Sequence, residues 1–294
     1  MAADTLTDVF EAHRSLLMGV AYRMLGRVAD AEDVVQEAWL RWSRTEREEV
    51  RDARAFLVRT TTRLAIDRLR QVQARRESYV GPWLPEPLVT DLDHTVPDAA
   101  ERAVLADTVS LAVLVVLESL SPLERAVFVL REAFALPYAE IAGALDRSES
   151  AVRQLAGRAR RHVAERRPRY RADPVERRDL TERFLAATLD GDLEGLVAML
   201  TPGARLVGDS GGKARAPLRT IGGASKVGRF LHAVAAKNIA DAELRPIEIN
   251  GAPAVLVLYD GRLDTVFQID PVGGRADCVY VLRNPDKLAR LLDR

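Results

Sequence analysis

The residues able to do chemistry in this chain are mostly arginines, and they are clustered. Between Ser148 and Arg171 eight arginines stand against two acids, Glu149 and Glu165, although over the whole chain 43 basic residues balance 43 acidic ones. A local basic block of this kind marks nucleic-acid contact. Within it Ser148, Ser150, Arg153, Gln154, Arg158, Arg160 and Arg161 are the candidate DNA-binding residues. Arginine and glutamine bond base edges in the major groove, and arginines further along a helix suit phosphates. The plain alternative is a solvated arginine-rich helix packed on a bundle. A second stripe, Arg59, Arg63, Asp67 and Arg70, follows the helical spacing i, i+4, i+8, i+11. A third set, Asp33, Gln36, Glu37 and Leu40, falls at i, i+3, i+4, i+7. It makes a polar face with one exposed leucine, which fits a partner surface or simply a solvated acidic face.

The last third offers His232, Asp209, Asp260, Asp264 and Asp270 as candidates for an acid–base pair. Catalysis would need two such groups together. Their spacing brings no two together and most fall at turns, so no catalytic residue is expected. Binding of a small ligand without catalysis stays open. His13, His94, His162 and His232 are scattered, His13 on an apolar helix face, and Cys278 has no neighbouring ligand, so neither a metal nor another cofactor is expected.

These groups need elements to position them. Residues up to about 76 read as helix. Leu6, Val9, Phe10, Leu17, Val20 and Met24 recur at helical spacing, and Gly26 reads as a C-cap. Asp30 is expected to cap a second helix whose stripe is Val34, Val35, Ala38 and Trp42, and a third runs from about Arg54 to Arg76. The stretch 79–98 contains four prolines and reads as an extended linker. Helical periodicity resumes at about Ala99 and runs to about Arg167, with Leu111 to Leu117 as a buried helix. Ser121-Pro122-Leu123-Glu124 is a capping box with proline at N1. After Phe134 comes a short helix, a turn at Asp146-Arg147, and a helix capped by Ser148 whose inner face is Val152, Leu155, Ala159 and Val163. Short helix, tight turn and basic second helix together make a helix-turn-helix.

From Val175 two helices are expected, the second halted by Thr201-Pro202-Gly203. A strand, a helix from about Gly222 and four strand-like runs follow. Asn250-Gly251, Asp260-Gly261 and Gly273-Gly274 separate those runs as hairpin turns, giving helices on an antiparallel sheet. One cysteine permits no internal disulfide and fits a reducing cytoplasm. The N-terminus lacks a signal-peptide pattern, and no apolar run nears the roughly 20 residues that span a bilayer, so no membrane partner is expected.

The run SPLERAVFVLREAFALPYAEIAGALDRSESAVRQLAGRARRHV resembles the C-terminal DNA-binding domain of extracytoplasmic-function (ECF) sigma factors, which implies binding to the −35 promoter element. DAEDVVQEAWLRWSR resembles the helix by which these factors grip the β′ clamp of core RNA polymerase, which would make Asp33, Gln36, Glu37 and Leu40 the contact face. ARAFLVRTTTRLAIDRLRQVQARRE resembles the helix that melts and reads the −10 element, so Arg59, Arg63, Asp67 and Arg70 would meet the separated strand. Trp83-Leu84-Pro85-Glu86-Pro87-Leu88, Asp209-Ser210-Gly211-Gly212-Lys213 and Asn284-Pro285-Asp286-Lys287-Leu288 resemble the signatures of a subgroup carrying a fused SnoaL-like domain.

The resemblance implies a multidomain fold: two all-α sigma domains, then an α+β cone of the SnoaL or nuclear-transport-factor type. The expected limits are 1–77 and 99–168 for the sigma domains, 78–98 for the linker and 174–294 for the cone. It implies an alternative sigma factor, not an enzyme, whose cone contacts the linker and regulates initiation. Read alone, Asn284-Pro285 could simply start a helix, and Asp209 to Lys213 could be a plain loop. The linker tryptophan should dock on the cone or on polymerase. The rival reading is a helix-turn-helix regulator whose C-terminal domain binds or converts a small molecule; it leaves the first 76 residues unexplained.

Overall fold

The computed structural model describes residues 5–45, 50–76, 79–90, 110–166, 173–238 and 241–291. They form two compact units, one from the helical segments up to 76 and from 110 to 166, the other from 79–90 together with everything after 172. The expected helix start near Ala99, and His94, lie outside the described residues.

In the first unit, α1 (Leu6–Leu25), α2 (Val28–Ser43) and α3 (Ala53–Arg76) pack as a bundle. Thr5 and Asp8 form a capping box at the start of α1, and Gly26 ends it at φ 68°, a left-handed position suited to glycine. The bundle core is the predicted stripe: Leu17, Val20, Met24, Val34, Val35, Ala38 and Trp42 are buried. Trp42 also donates its indole N–H to the Leu6 carbonyl at 2.8 Å. The expected cap of α2 is corrected. The helix starts at Val28, and Asp30 lies buried in its first turn, taking Arg68 at 2.6 Å. A charged partner 38 residues away outweighs a local capping role.

The helix-turn-helix half comprises α4 (Leu111–Leu117), α5 (Pro122–Phe128) with a π-helical turn over Val129–Ala133, α6 (Tyr138–Leu145) and α7 (Glu149–Arg166). Ser121 and Glu124 form the expected capping box, and Asp146 turns the chain at φ 55°. Two buried arginines join this half to the bundle. Arg125 donates to the Met24 carbonyl at 2.8 Å and to Glu118 at 2.9 Å. Arg23 donates to Gly19 and stacks on the Phe134 ring 4.9 Å away. Burial pulls the Arg23 guanidinium down to about 10, which still leaves it charged at neutral pH.

The second unit contains α8 (Pro174–Leu189), α9 (Leu193–Ala198), β1 (Leu200–Asp209), β2 (Ile221–Gly222), α10 (Ala224–Asn238), β3 (Glu243–Ile249), β4 (Ala252–Tyr259), β5 (Arg262–Val272), β6 (Arg275–Leu282) and α11 (Pro285–Leu288). The sheet order is β2-β1-β6-β5-β4-β3. All three predicted hairpin turns are present with positive φ at both central residues, as type I′ turns require. Two expectations change. The sheet is mixed, because β1 pairs parallel with β6. Thr201-Pro202-Gly203 does not stop α9 but lies inside β1, in a bulge where the register jumps from Leu200 to Arg205. Proline is tolerated there because a bulge leaves its residues outside the ladder.

The strands Ala254–Tyr259 and Cys278–Leu282 are almost continuously apolar, which requires cover on both faces of the sheet. Helices α8 to α10 cover one face, where Phe184, Leu231, Ile269 and Val279 share a core. The other face, with Leu256, Val266, Tyr280 and Leu282, is equally buried. Cys278 is buried on that face, and burial pushes its thiol up to about 12. Segment 79–90 spans the sheet as a strap. It is held near the end of β1 through Leu84 and at the β3–β4 hairpin, where Val89 bridges Ile249 and Thr90 donates to the Glu248 carbonyl at 2.9 Å.

Gly19 tests how tightly the helical halves meet. A Cβ there would lie 2.7 Å from Arg23 Nη1 and 3.0 Å from the Phe134 ring. Gly19→Ala should therefore destabilise the unit by about 1–3 kcal/mol, reversing the usual helix gain of about 1 kcal/mol for this change. Urea unfolding of the two proteins measures it.

Candidate DNA and polymerase surfaces and the linker latch

The recognition helix α7 buries Val152, Leu155 and Ala159 and leaves Arg153, Gln154, Arg158, Arg160 and Arg161 exposed. Ser148 accepts the Ala151 amide at 3.3 Å, and its hydroxyl lies 3.0 Å from that of Ser150. Most of the arginines have carboxylate partners. Arg153 pairs with Glu149 and stacks on Tyr138 at 4.7 Å. Arg158 meets Glu124 at 3.0 Å, and Arg160 meets Glu132 and the Tyr138 hydroxyl, each at 2.7 Å. The Ser121 hydroxyl and then Arg158 hold the Glu124 carboxyl below its ordinary range, while Glu132 and Tyr138 raise Arg160. The helix thus presents a basic face whose charges are steered by acids at its margin.

On α3, Arg59, Arg63, Asp67 and Arg70 are all exposed along one stripe. Three of them make polar contacts. Arg63 donates to the Ala144 carbonyl at 3.0 Å, and Arg70 pairs with Asp67 at 3.1 Å. Ala144 lies in the last turn of α6, whose carbonyls lack helical partners, so a guanidinium caps it favourably. Arg54 meets Glu140 of the same helix at 3.1 Å. On α2, Asp33, Gln36, Glu37 and Leu40 are exposed opposite the buried stripe, with Asp33 also 3.2 Å from Arg68. Trp39 is half-buried against Phe10. Phe56, the aromatic nearest this stripe, packs on Trp42 with Arg59 over its ring at 5.7 Å.

The three motifs of the linker and the C-terminal unit meet at one place. Asp209, fully buried at the end of β1, takes four donors. Its Oδ1 accepts the Tyr79 hydroxyl at 2.5 Å and the Gly211 amide at 3.1 Å; its Oδ2 accepts the Leu84 amide at 2.8 Å and Lys287 Nζ at 2.6 Å. Lys287 also donates to the Leu84 carbonyl at 2.5 Å, with its ammonium 4.1 Å from the Trp83 ring and 5.2 Å from Tyr79. Asn284 caps α11 through Asp286 and donates to the Tyr79 hydroxyl at 2.7 Å. Burial, and donation to Asp209, push that hydroxyl well above the ordinary tyrosine range. Pro85, Glu86 and Pro87 are buried beside it, Pro285 takes N1 of α11, and exposed Lys213 pairs with Asp286.

The glycines follow from this geometry. Gly211 has φ +57°, and a Cβ on it would lie 2.5 Å from Asn284 Nδ2; Gly212 has φ +74° with Val80 3.1 Å away. Ser210, between Asp209 and these glycines, is not at positive φ and needs no glycine. Sequence reasoning missed Tyr79, Leu88, Thr90 and Asn250 as strap contacts. Leu88 donates to Asn250 Oδ1 at 3.2 Å, and the run of prolines was the signal pointing to a held strap.

The cone holds a partly open cavity of about 190 Å³ lined by Phe230, Val257, Phe267 and Val281, with Tyr259, Asp264 and Arg283 among the polar groups. Burial raises the Tyr259 hydroxyl, with Asp264 adding to the shift. The acid–base candidates do not converge. Asp264 is held by Arg283 and Thr265, each at 2.6 Å. Asp209 is in the latch and Asp260 is in a turn. Asp270 pairs across to Cys278 on the opposite sheet face, and His232 sits against Gly191. No helix among the described residues is long and apolar enough to cross a membrane, and no cluster there could hold a metal ion.

Two helical modules, the second a helix-turn-helix with a basic recognition helix, define a sigma-type initiation factor. Residues 9–76 match the Sigma-70 region 2 family and residues 110–163 match Sigma-70, region 4. The chain belongs to the ECF RNA polymerase sigma factors. It is 48% identical over 223 residues to the ECF RNA polymerase sigma factor SigJ of Mycobacterium tuberculosis, covering 76% of this chain and 70% of that one. It is 35% identical over 289 residues to the probable ECF sigma factor SigI of the same species, covering 97% and 95%. The crystal structure of M. tuberculosis SigJ matches with a TM-score of 0.77 at 40% identity, over 95% of this chain and 97% of that one. The protein is an alternative sigma factor directing transcription initiation, with a SnoaL-like C-terminal domain.

The latch can be tested on the full chain. Lys287→Met leaves a buried carboxylate with no cation and should cost about 3–5 kcal/mol. Asp209→Asn with Lys287→Met should cost clearly less than the two single changes summed, because removing both charges leaves neither uncompensated. Urea unfolding of the four proteins completes the cycle.

Proposed function

We propose that the C-terminal unit regulates initiation by holding the strap between the two sigma modules. The carrying observation is that one buried ion pair, Asp209–Lys287, grips both the amide and the carbonyl of Leu84. A linker fixed at that point has a shorter free path on either side, which restricts the separations the two promoter-reading modules can take. Region 4 reads the −35 element through Ser148, Ser150, Arg153, Gln154 and Arg158, with Arg160 and Arg161 on phosphates. Region 2 holds the melted −10 strand through Arg59, Arg63 and Arg70, Asp67 lying among them. Asp33, Gln36, Glu37 and Leu40 meet the β′ clamp of core polymerase. The domain limits are those expected from sequence, except that 79–90 works as part of the cone unit. The cone is regulatory, not catalytic; what supports this is that Asp264, the one carboxylate among the described residues lining the cavity, is already ion-paired with Arg283. The protein works in the cytoplasm, where the polymerase is.

Run-off transcription with core polymerase tests this. Asp209→Ala in the full chain, and a chain ending after residue 171, should both shift output from the target promoter several-fold against the intact protein. Equal output from all three would refute the proposal.

The recognition helix yields a separate expectation. Gln154→Ala should relax base preference at one −35 position by about 1–3 kcal/mol, whereas Arg161→Ala should weaken all sequences alike and lower the salt slope by about 1. Binding of holoenzyme to promoter variants at several salt concentrations separates the two.

A further inference from the structure

The cavity in the cone is placed where its contents can act on the latch. Its wall is apolar but incompletely covered: Val257, Phe267 and Val281 are only half-buried, while Ile269 and Val279 on the same sheet face are fully buried. Apolar walls without packing partners forgo dispersion contacts that a bound molecule would restore. A cavity of about 150 Å³ accepts benzene, so the roughly 190 Å³ here suits a single ring with a small substituent. Asp264 is already satisfied by Arg283 and Thr265. The Nε of Arg283, by contrast, is buried with no hydrogen-bond partner. The unmet demand is therefore for an acceptor.

Arg283 also links the cavity to the latch. Its main-chain amide donates to the Asp209 carbonyl at 2.7 Å, and its Nη1 donates to the Arg215 carbonyl at 2.6 Å. The next residue, Asn284, holds the Tyr79 hydroxyl. On the other side, Arg215 to Pro217 line the cavity a few residues beyond Lys213. The two latch segments that follow β1 and β6 thus both continue into the cavity wall.

We propose that the cavity is an effector site for a compact, ring-sized apolar molecule bearing one acceptor oxygen, and that filling it alters the grip of the latch on the strap. The second half rests on the latch reading above. A ligand oxygen drawing the Arg283 guanidinium inward would pull on Arg215 and on the Asp209–Asn284 pair of segments together.

The test uses full-length protein labelled with 5-fluorotryptophan. The chain has three tryptophans, and the Trp83 resonance is assigned by Trp83→Phe. Acetophenone is the probe, and ethylbenzene is the control without oxygen. Acetophenone should bind saturably, about fivefold or more tighter than ethylbenzene, and should shift the Trp83 resonance while leaving Trp39 and Trp42 in place. Val257→Phe, which fills the cavity, should abolish saturation; Val234→Phe at its rim should do the same and does not disturb the sheet. Non-saturable binding, or binding unchanged in both variants, overturns the site. Saturable binding with a motionless Trp83 signal overturns the coupling. Neither readout involves transcription, so failure of the latch proposal appears in a different assay.

Discussion

The C-terminal unit depends on a buried ion pair that is not self-sufficient. Asp209 and Lys287 are both almost completely removed from water. Desolvating two charges is repaid only when the geometry is close and the remaining donors and acceptors find partners. Here those partners are supplied by the strap: the Tyr79 hydroxyl and the Leu84 amide on the carboxylate, the Leu84 carbonyl and the Trp83 ring on the ammonium. Without the strap the pair would lose much of what makes its burial tolerable. The interaction is conditional on the linker's presence, which is the property a regulatory contact needs.

The composition of the strap suits that role. Prolines at 82, 85 and 87 have no amide hydrogen, so an extended segment can lie buried with few donors to satisfy. Of the donors that remain, Leu84 goes to Asp209, Leu88 to Asn250 and Thr90 to Glu248. The prolines also narrow the free ensemble, so fixing the strap costs less entropy than fixing an ordinary loop.

Local chemistry was legible in the sequence and distant pairing was not. The capping box at Ser121, the glycine cap at 26 and the three type I′ hairpins each depend on residues within a few positions of one another, and each was read correctly. The role of Asp30 depends on Arg68, 38 residues on; Arg63 reaches a carbonyl 81 residues away, and Tyr79 a carboxylate 130 away. No periodicity encodes such pairs. The three latch motifs were singled out by resemblance, but their convergence on Leu84 is a property of the fold. The β1 bulge was misread for a related reason. Proline and glycine signal interruption, and only the parallel neighbour β6 shows that the strand continues past it.

In the sigma modules, too, burial decides what a charged contact is worth. Arginines do double duty on helix ends: Arg125 caps α1 through Met24 and Arg63 caps α6 through Ala144. The two are not equivalent. Arg125 is wholly buried, so breaking its bonds would strand a charge, and that contact is structural. Arg63 is exposed, and an exposed charge contact is worth at most about 1 kcal/mol. A phosphate offers it a full negative charge and releases a counterion. If Arg63 is to meet the melted strand it must first leave Ala144, and the small stake it holds there makes that exchange inexpensive. The exposed arginine contact of α3 is thus weakly held, whereas the buried contact of Arg125 is not readily given up.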